Sequence, residues 1–557
     1  MSKDPWTKNY PEGIEPHLEY PSQLVSDFLK NSTEQFPNHN AIYFYGKKIT
    51  YKDLIKQAYK FANLLKEKGV KPGDRVAIML PNIPQYVYCY YGVLFMGGIV
   101  VQTNPLYVER ELEYHLKDSG AKTIVALDLV YFRVKAVKEK VNLENIFTTS
   151  IQDHLPFIKK SLYPLVQKIK KGPYTRLNVE KEQVLSLKKE LQQASDNPVE
   201  NPGKPDDVAV LQYTGGTTGV SKGVMLTHMN LVSNTIQCQA WVKVKKGQGS
   251  VLAVVPLFHV YGMTTCMNFS ISSGAVVNLI PKFEVDSLLK IIESQKPTIF
   301  PGAPTLYQGI INHPKVNQTD LSSIECCISG SAPLPVSTQQ RFEELTNGKL
   351  VEGYGLSEAS PVVIANPIWG HRVEGSIGIP WPNTESKIVN ELGEEVAPHE
   401  IGELIVKGPQ VMKGYWNQPE ETAAVIRDGW LYTGDMGYMD SKGYFYIVDR
   451  KKDMIIASGY NIYPREIEEV LYKHPAVKEA IVLGVPDKYR GETVKAYIVR
   501  KKDSNVTDEA LNQYCRTNLA SYKVPRIYEF RDELPKSMVG KILRRVLAEE
   551  HAATLEE

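Results

Sequence analysis

Short apolar runs alternate with segments of helical spacing in the first part of the chain. RVAIML (75–80) has the uninterrupted apolar character of a buried strand, and residues 85–96 have the spacing of a helix. GGIVVQTNP (97–105) then returns to strand character. Strand, helix and strand at this spacing predict a parallel βαβ unit.

The pattern recurs further along, so the prediction extends to a large α/β region. Apolar runs of strand character lie at 122–127, 251–258 and 325–330. Helical spacing over 336–345 follows the last run and precedes a short strand at 350–352. Ligand sites of parallel sheets lie where strands end in loops, so the Gly- and Ser-rich segments after these strands are candidate binding loops.

Two changes of pattern predict boundaries. DNPVENPGKPDD (196–207) is rich in Pro, Asn and Asp and is typical of an exposed connection. After Asp449, two β-rich runs and a helical tail indicate a small α+β domain of about a hundred residues. We therefore expect a large N-terminal domain and a small C-terminal domain that begins near Asp449.

Composition narrows the class of protein. A chain of 557 residues predicts roughly three or four domains or subdomains. A net charge of +2 gives no reason to expect nucleic acid as a partner. The six cysteines are scattered without C-x-x-C spacing, the first residues lack an apolar signal, and no apolar run reaches the ~20 residues of a membrane span. These features predict a reduced, cytoplasmic protein.

One segment has a basic amphipathic pattern. PFIKKSLYPLVQKIKK (156–171) places apolar residues at helical spacing with lysines mostly elsewhere, although Pro164 interrupts it. Such a helix could rest on the inner face of a membrane as a peripheral contact, or could be a solvated surface helix. Both interpretations stay open, as does a homodimer.

YTGGTTGVSKGV (213–224) has the composition of a phosphate-holding loop. Its glycines allow close backbone approach, its hydroxyls donate hydrogen bonds, and Lys222 adds positive charge. A P-loop requires Lys directly after the last Gly, and here Lys222 precedes Gly223, so that class is excluded, as is GxGxxG. Taken alone, the segment could equally be a simple connection between two strands.

Six motifs in a fixed order favour a functional role for this loop over a simple connection. The loop is followed by SGSAPLP, EGYGLSEAS, YTGD, DRKKDMIIASGYNIYP and PKSMVGKILRR. In this order they closely resemble the acyl-adenylate-forming ligases, from about residue 25 to about residue 547. PLFHVYGMTT, GSIGIPWPNTE and KGPQVMKGYWNQPEETA look most like bacterial long-chain fatty acid–CoA ligases. The resemblance implies an α/β fold of stacked mixed sheets with flanking helices, a small β-barrel-like subdomain and a small α+β C-terminal domain.

The resemblance also implies the activity. Such enzymes form an acyl-AMP from a carboxylic acid and ATP, releasing pyrophosphate, and then transfer the acyl group to the thiol of coenzyme A, releasing AMP. ATP, Mg²⁺ and coenzyme A are thus the implied cofactors and co-substrates, and a fatty acid is the implied small-molecule partner.

Phosphate and metal roles carry over to matching positions. Glu358 is implied to hold Mg²⁺, with the hydroxyl of Thr214, because hard Mg²⁺ takes oxygen ligands. Glu358 could otherwise be a charge at a helix N-terminus. The residues implied to surround the phosphates are Tyr213, Thr214, Gly215, Gly216, Thr217, Thr218, Gly219, Lys222 and Ser357.

The adenosine roles fall on later motifs. Asp435 is implied to accept both ribose hydroxyls, and Arg450 to donate to the same ribose. Without the resemblance, Asp435 in TGDMG would be a turn residue. The residues implied to hold adenine are Gly330, Ser331, Ala332, Pro333, Tyr354 and Gly355.

Lys541, in PKSMVGKIL, is implied to be catalytic, since a mobile ammonium can orient the attacking carboxylate and the α-phosphate. From its segment alone it would be one exposed lysine among several. The resemblance implies an N-terminal domain over 1–451 and a mobile C-terminal domain over 452–557, which rotates about Lys452 between the two steps. Ser458, Gly459 and Tyr460 would then line the entrance for the pantetheine arm.

His259 is implied to lie between the acid pocket and the adenylate, although a lone His after an apolar run is often a satisfied core residue. Some long-chain relatives place a gating Trp four residues after this His, and here that position is Met263. The residues implied to line the acyl pocket are Val260, Tyr261, Met263, Gly302, Ala303 and Ile377. Small residues there would leave room for a long chain.

Three functions remain open from the sequence. The first is a long-chain fatty acid–CoA ligase. The second is a ligase for medium-chain or aryl acids, or one that delivers to a carrier protein. The third is a catalytically silent acyl- or nucleotide-binding protein, which the joint presence of Lys541, Glu358 and Asp435 disfavours.

Overall fold

The computed structural model describes residues 5–163, 177–214, 221–457, 460–487, 489–502, 504–537 and 542–556. Over these residues the strands are, in chain order, β1 (Asn40–Phe44), β2 (Lys47–Thr50), β3 (Arg75–Met79), β4 (Ile99–Gln102), β5 (Thr123–Leu127), β6 (Asn145–Thr149), β7 (Leu185–Ser186), β8 (Val208–Thr214), β9 (Lys222–Thr227), β10 (Ser250–Ala253), β11 (Val276–Leu279), β12 (Cys326–Ser329), β13 (Lys349–Gly355), β14 (Val362–Ala365), β15 (Ile379–Pro380), β16 (Glu385–Val389), β17 (Gly402–Lys407), β18 (Gly414–Tyr415), β19 (Ile426–Arg427), β20 (Trp430–Met439), β21 (Phe445–Arg450), β22 (Ile455–Ala457), β23 (Tyr460–Ile462), β24 (Val477–Asp487), β25 (Gly491–Arg500) and β26 (Ile527–Arg531).

The α-helices of the same residues are α1 (Val25–Gln35), α2 (Tyr51–Glu67), α3 (Pro84–Phe95), α4 (Glu109–Ser119), α5 (Tyr131–Val137), α6 (Leu187–Gln193), α7 (His228–Val242), α8 (Phe269–Ser273), α9 (Val285–Gln295), α10 (Pro304–Ile311), α11 (Val336–Thr346), α12 (Pro419–Val425), α13 (Pro464–Lys473), α14 (Asp508–Asn518) and α15 (Arg544–Glu556). Residues 157–163 are also helical. Short 3₁₀ turns include Ser357–Ala359, and Gly262–Asn268 is a π-helix that runs into α8.

The strands form five sheets. The largest has the order β18-β9-β8-β4-β3-β5-β6-β7, and its strands from β8 to β7 are parallel. A second sheet has the order β10-β11-β1-β2 and a third the order β12-β13-β14-β15. Bridges through Ile299 link β10 to β12, so these two sheets are continuous at that point. The predicted mixed α/β architecture is confirmed.

The predicted βαβ unit is present at β3, α3 and β4. β3 and β4 are adjacent and parallel, as the spacing indicated. Every residue of α3 is buried, which explains why its sequence is apolar on all sides. A helix covered all round is one that other layers enclose, so α3 belongs to the core between sheets.

The strand predicted over 251–258 ends earlier, at Ala253. The buried side chain of Asn82 is the physical reason. Its amide donates to the carbonyls of Ala253 and Val255, and its carbonyl accepts the N–H of Leu257. Because a side chain supplies these hydrogen bonds, the backbone needs no ladder partner there and turns towards His259.

Two β-rich units complete the chain. A five-stranded antiparallel sheet contains β16-β17-β20-β19, with β21 paired to β20, and lies where the resemblance implies a small β-barrel-like subdomain. The fifth sheet, β23-β22-β25-β24 with β26 on β25, has its own hydrophobic core with α13 and α14. The expected boundary at Lys452 falls between these two units, after β21.

No helix among the described residues is both long enough and apolar enough to cross a membrane. The helical residues 157–163 begin the basic amphipathic segment, and residues 164–176 of that segment lie outside the described ranges.

Candidate active site

The segment predicted to hold phosphate joins two antiparallel strands. β8 and β9 pair up to the register Thr214 opposite Lys222, so the segment between them is the connection of a hairpin. The strand predicted after the loop is confirmed. The predicted residues Gly215, Gly216, Thr217, Thr218 and Gly219 lie outside the described ranges.

Tyr213 contributes to this hairpin in an unexpected way. Its hydroxyl donates to Asp118 Oδ2 at 2.5 Å, and its ring contacts the buried His115 at 4.1 Å between centroids. Burial raises the pKa of Tyr213, so the hydroxyl keeps its proton as a donor. The side chain of Tyr213 therefore anchors β8 to α4. Sequence analysis did not identify Asp118.

Lys222 lies in a cluster that sequence analysis also missed. β18 pairs with β9 and brings the ring of Tyr415 to 5.1 Å from the Lys222 ammonium. Lys222 also forms an ion pair with Glu421 of α12. KGYWNQPEETA contains both partners, and the resemblance singled out that segment without giving it a role. An anionic ligand at this hairpin would compete with Glu421 for Lys222.

Glu358 reaches the same cluster from the 3₁₀ turn Ser357–Ala359, which packs against β9. Its Oε1 accepts the Tyr415 hydroxyl at 2.9 Å, and its backbone carbonyl accepts the N–H of Met412 at 2.8 Å. Burial raises the pKa of the Glu358 carboxyl. Ser357 precedes it at the turn and is half-buried. A fixed carboxylate therefore stands beside Lys222 and the hairpin.

The donor set fits a weakly held divalent cation. Among the described residues there is no group of three or more His, Cys, Asp or Glu side chains that could enclose a metal. Mg²⁺ is commonly bound by one or two carboxylates plus phosphate oxygens and water. A single Glu358 beside a phosphate hairpin fits that pattern, in which the substrate supplies most ligands.

The predicted ribose residues are cross-strand partners. Asp435 of β20 and Arg450 of β21 are in register, and Arg450 Nε lies 3.2 Å from Asp435 Oδ1. The hydroxyl of Tyr354 donates to Asp435 Oδ2 at 2.5 Å. Burial and the Asp435 charge raise the pKa of Tyr354, so it stays protonated. The structure thus brings three predicted residues, from three motifs, into one group joined by a hydrogen bond and an ion pair.

The predicted adenine strip lies at the end of a neighbouring strand. β12 and β13 are parallel, with Ser329 opposite Glu352, so their carboxyl ends meet at one edge. The residues after β12, Gly330 to Pro333, therefore lie near Tyr354 at the end of β13. Ser331 and Pro333 are exposed and Ala332 is half-buried, which leaves this backbone open to a ligand.

Gly355, the last residue of β13, has no space for a side chain. A Cβ at this position would lie 2.2 Å from the carbonyl oxygen of Pro361, far inside contact distance. Only glycine therefore fits between Tyr354 and the turn that carries Glu358. The close approach fixes Tyr354 relative to the turn that carries Glu358.

The residues predicted to lie near the bound fatty acid begin with His259, which is half-buried. His259 Nδ1 accepts the N–H of Tyr261 at 3.2 Å, and its carbonyl accepts the N–H of Met263 at 2.9 Å. Val260 and Tyr261 are buried next to it. Met263 lies in the π-helix, and its sulfur is 3.1 Å from the Gln102 amide nitrogen. π-helical turns occur frequently at functional sites.

The space next to Gly302 is filled rather than open. A Cβ there would lie 2.8 Å from the ring of Tyr307, and the Tyr261 hydroxyl donates to the carbonyls of Ile328 and Gly302. In the direction where a Cβ would point, glycine at 302 admits the Tyr307 ring, and the assignment of Gly302 to the acyl pocket stays a prediction. Ala303 is buried at the start of α10.

A small apolar cavity of about 20 Å³ is lined in part by Ile328, whose carbonyl accepts the Tyr261 hydroxyl. It separates α7 and the π-helix from the strand segments around Ile299 and β12. Its lining consists of Cys238, Val242, Thr265, Phe269, Ile299, Pro301, Cys326 and Ile328. Ile377 is buried too, but it donates its N–H to the carbonyl of Phe445 and is not in this lining.

The predicted C-terminal residues are only partly described. Lys452 is exposed directly after β21, and Tyr460 is exposed in β23 with its ring 4.6 Å from that of Tyr522. Ser458, Gly459 and Lys541 lie outside the described ranges.

The fold and the candidate site together are those of a nucleotide-binding enzyme with two α/β units. Comparison of the sequence with known families identifies the family to which the chain belongs. The AMP-binding enzyme pattern matches residues 29–416, and the AMP-binding enzyme C-terminal domain matches residues 466–541. The chain belongs to the AMP-binding enzyme family.

Individual relatives are close over the whole length. The chain is 55% identical over 557 residues to the long-chain-fatty-acid–CoA ligase of Bacillus subtilis (strain 168), covering 99% of this chain and 98% of the relative. It resembles the crystal structure of ATP-bound MatB from Rhodopseudomonas palustris at a TM-score of 0.83 and 30% identity, covering 95% of this chain and 99% of that one. It resembles the anthranilate CoA ligase AuaEII in complex with anthranoyl-AMP at a TM-score of 0.84 and 27% identity, covering 96% and 99%.

Proposed function

We propose that the chain is a long-chain fatty acid–CoA ligase. It converts a fatty acid and ATP to acyl-AMP and pyrophosphate, and then transfers the acyl group to coenzyme A with release of AMP. The observation that carries this proposal is the group formed by Asp435, Arg450 and Tyr354 beside the open strip Gly330–Pro333. Lys222 at the start of β9 and Glu358 on the 3₁₀ turn that packs against β9 complete it.

Adenylation makes a carboxylate reactive, because AMP is a far better leaving group than hydroxide. Asp435 holds the ribose hydroxyls, which fixes the α-phosphate relative to the incoming carboxylate. Lys222 exchanges Glu421 for phosphate oxygens and neutralises charge on the pyrophosphate that leaves. Mg²⁺ at Glu358 would supply further charge neutralisation between phosphate oxygens. Lys541 would contact the acid and the α-phosphate from the C-terminal domain.

The acyl chain would enter past Tyr261 into the apolar cavity. A volume of about 20 Å³ holds about one water molecule, so a long chain requires this space to widen. The π-helix is the element that borders it through Thr265 and carries Met263. We infer that acid binding displaces the π-helix or the Tyr261 ring.

The test is AMP release with ATP, Mg²⁺ and coenzyme A across acids from octanoate to oleate, plus one cinnamate-type acid. Rising turnover towards the longest acids supports the long-chain assignment. Turnover with the aryl acid alone would keep adenylation and replace the substrate class. Nucleotide binding without AMP from any acid would favour a catalytically silent binding protein.

We further propose that residues 157–162 contact an anionic membrane surface. Phe157, Ile158 and Leu162 are 84%, 73% and 51% exposed. They share a helical face opposite Tyr163, which is buried. Lys47 and Lys48 are exposed at the start of β2, directly after Gly46, which lies against Pro156, so the apolar face has basic neighbours.

Sedimentation with vesicles tests this contact. Phe157→Asp should reduce binding to vesicles that contain anionic lipid, because a charge replaces exposed apolar area. Leu392→Asp is the matched control, since Leu392 is 83% exposed on a turn elsewhere. Equal loss in both variants, or none in either, would refute the contact. A cytoplasmic location and a homodimer stay predictions, for fractionation and sedimentation equilibrium to test.

A further inference from the structure

Arg544 lies among three carboxylates where the C-terminal unit meets the rest of the chain. Its Nη2 is 2.5 Å from Glu468, and its Nη1 is 3.4 Å from both Asp449 and Asp453. The side chain of Arg544 is 19% exposed and that of Asp449 is 4% exposed. The sequence analysis gave none of these residues a role.

The four charges belong to both sides of the expected hinge. Asp449 is in β21, before Lys452, whereas Asp453, Glu468 and Arg544 follow it. Asp449 Oδ2 also accepts the backbone N–H of Arg465, at the start of α13, at 2.8 Å. A nearly buried carboxylate of the N-terminal side thus depends on two donors from the C-terminal side.

Rotation about Lys452 would remove those donors. A buried carboxylate that loses its partners is strongly unfavourable, more so than the pair was favourable. Glu468, by contrast, moves together with Arg544 and also accepts the N–H of Val482 within the C-terminal unit. Asp449 is therefore the member of the cluster that senses the orientation of the C-terminal unit.

Both ends of the Arg544–Asp449 contact adjoin residues assigned to the first step. Arg544 follows Lys541 by three positions in the sequence. Asp449 precedes Arg450, which pairs with the ribose residue Asp435, and Asp449 Oδ1 accepts the Arg450 N–H at 2.8 Å. The contact joins the segment that carries the proposed catalytic lysine to the strand that carries the ribose site.

We propose that Arg544 is a positioning residue that, through Asp449, holds the C-terminal unit in the orientation that forms acyl-AMP. This rests on the proposed two-step function. The contact favours the first step and has to break before the second. Its removal should therefore affect the two steps unequally, which a purely structural role would not do.

The experiment compares Arg544→Gln with Arg545→Gln in the full-length protein. Arg545 is the adjacent arginine, 63% exposed and paired with Glu549. Adenylation is measured as pyrophosphate release with ATP, Mg²⁺ and palmitate. The second step is measured as palmitoyl-CoA formation from supplied palmitoyl-AMP and coenzyme A.

Arg544→Gln should lower kcat for adenylation about tenfold or more, within the range of coupling between contacting charged residues. Its KM for ATP should change little, because Asp435 and Arg450 remain. The second step should stay within about twofold of wild type, and Arg545→Gln should match wild type in both steps. Arg544→Lys, which keeps the charge, should recover part of the adenylation rate.

Asp449→Asn probes the same contact from the N-terminal side and keeps the side-chain shape. It should show the same unequal pattern, and the double variant should lose less than the product of the two single losses. Equal loss of both steps in either variant, or independent multiplication of their effects, would overturn the proposal. Absence of pyrophosphate release in the wild-type protein would instead refute the proposed function.

Discussion

Asp435→Asn should weaken ATP binding while leaving the fold intact. Asp435 accepts the Tyr354 hydroxyl on Oδ2 and the Arg450 guanidinium on Oδ1. An amide of the same shape keeps one acceptor and replaces the other with an NH₂ donor. If the oxygen stays towards Arg450, the NH₂ meets the Tyr354 hydroxyl, which must then turn and accept.

The expected loss in ATP binding depends on how many hydrogen bonds to the ribose hydroxyls the amide can still accept. A carboxylate can accept two ribose hydroxyls, whereas the amide retains about one, and a hydrogen bond to a charged group contributes about 1.5–3 kcal/mol. The variant should therefore lose roughly tenfold to a hundredfold in kcat/KM for ATP. Stability should fall by only about 1 kcal/mol, because Arg450 is 40% exposed and water replaces its partner.

The assay is ATP–pyrophosphate exchange with palmitate, with Tm measured on the same samples. Asp440→Asn is the control, because Asp440 lies in the turn between β20 and β21 and its Oδ1 accepts the N–H groups of Lys442 and Tyr444. An Asn at 440 keeps that oxygen and should leave ATP kinetics unchanged. A KM for ATP within about twofold of wild type in Asp435→Asn would refute the ribose assignment.

Three further predictions concern single side chains. Lys541→Ala should abolish adenylate formation yet spare thioester formation from supplied acyl-AMP; equal loss of both steps would contradict its role. Gly459→Leu should do the reverse, since a side chain would obstruct the pantetheine arm, and an intact thioester step would argue against that site. Burial raises the pKa of Glu352 from 4.5 to about 7. Between pH 4.5 and pH 7, therefore, the carboxyl is protonated in the folded chain and ionised in the unfolded chain. The free energy of unfolding falls as pH rises through this range. Glu352→Gln should raise Tm relative to wild type by more at pH 8 than at pH 5; the same gain at both pH values would contradict the burial argument.

Part of the fold was predictable because local pattern and global packing agree there. β3, α3 and β4 were expected from an apolar strand, a helical spacing and a second strand, and they form the centre of the largest sheet. The strand over 251–258 was overestimated because Asn82, far away in sequence, satisfies its backbone. No periodicity within the segment carries that information.

The candidate site likewise contains residues that the sequence predicted and residues that it did not. Asp435, Arg450 and Tyr354 were expected from ordered motifs, and the structure joins them by hydrogen bonds. Tyr415 and Glu421 were not assigned, because their relation to Lys222 arises only when β18 pairs with β9. Pairing across nearly two hundred positions leaves no local signal.

The sequence by itself determined the α/β class, the ordered motifs and the residue types that the chemistry needs, because these depend on local spacing and side-chain chemistry. Only the tertiary structure decided which partners those residues have. It turned Tyr213 towards Asp118, filled the space at Gly302 with the Tyr307 ring, and surrounded Arg544 with carboxylates from both units. Such contacts depend on how distant elements pack against one another, and close packing is a property of the folded chain as a whole.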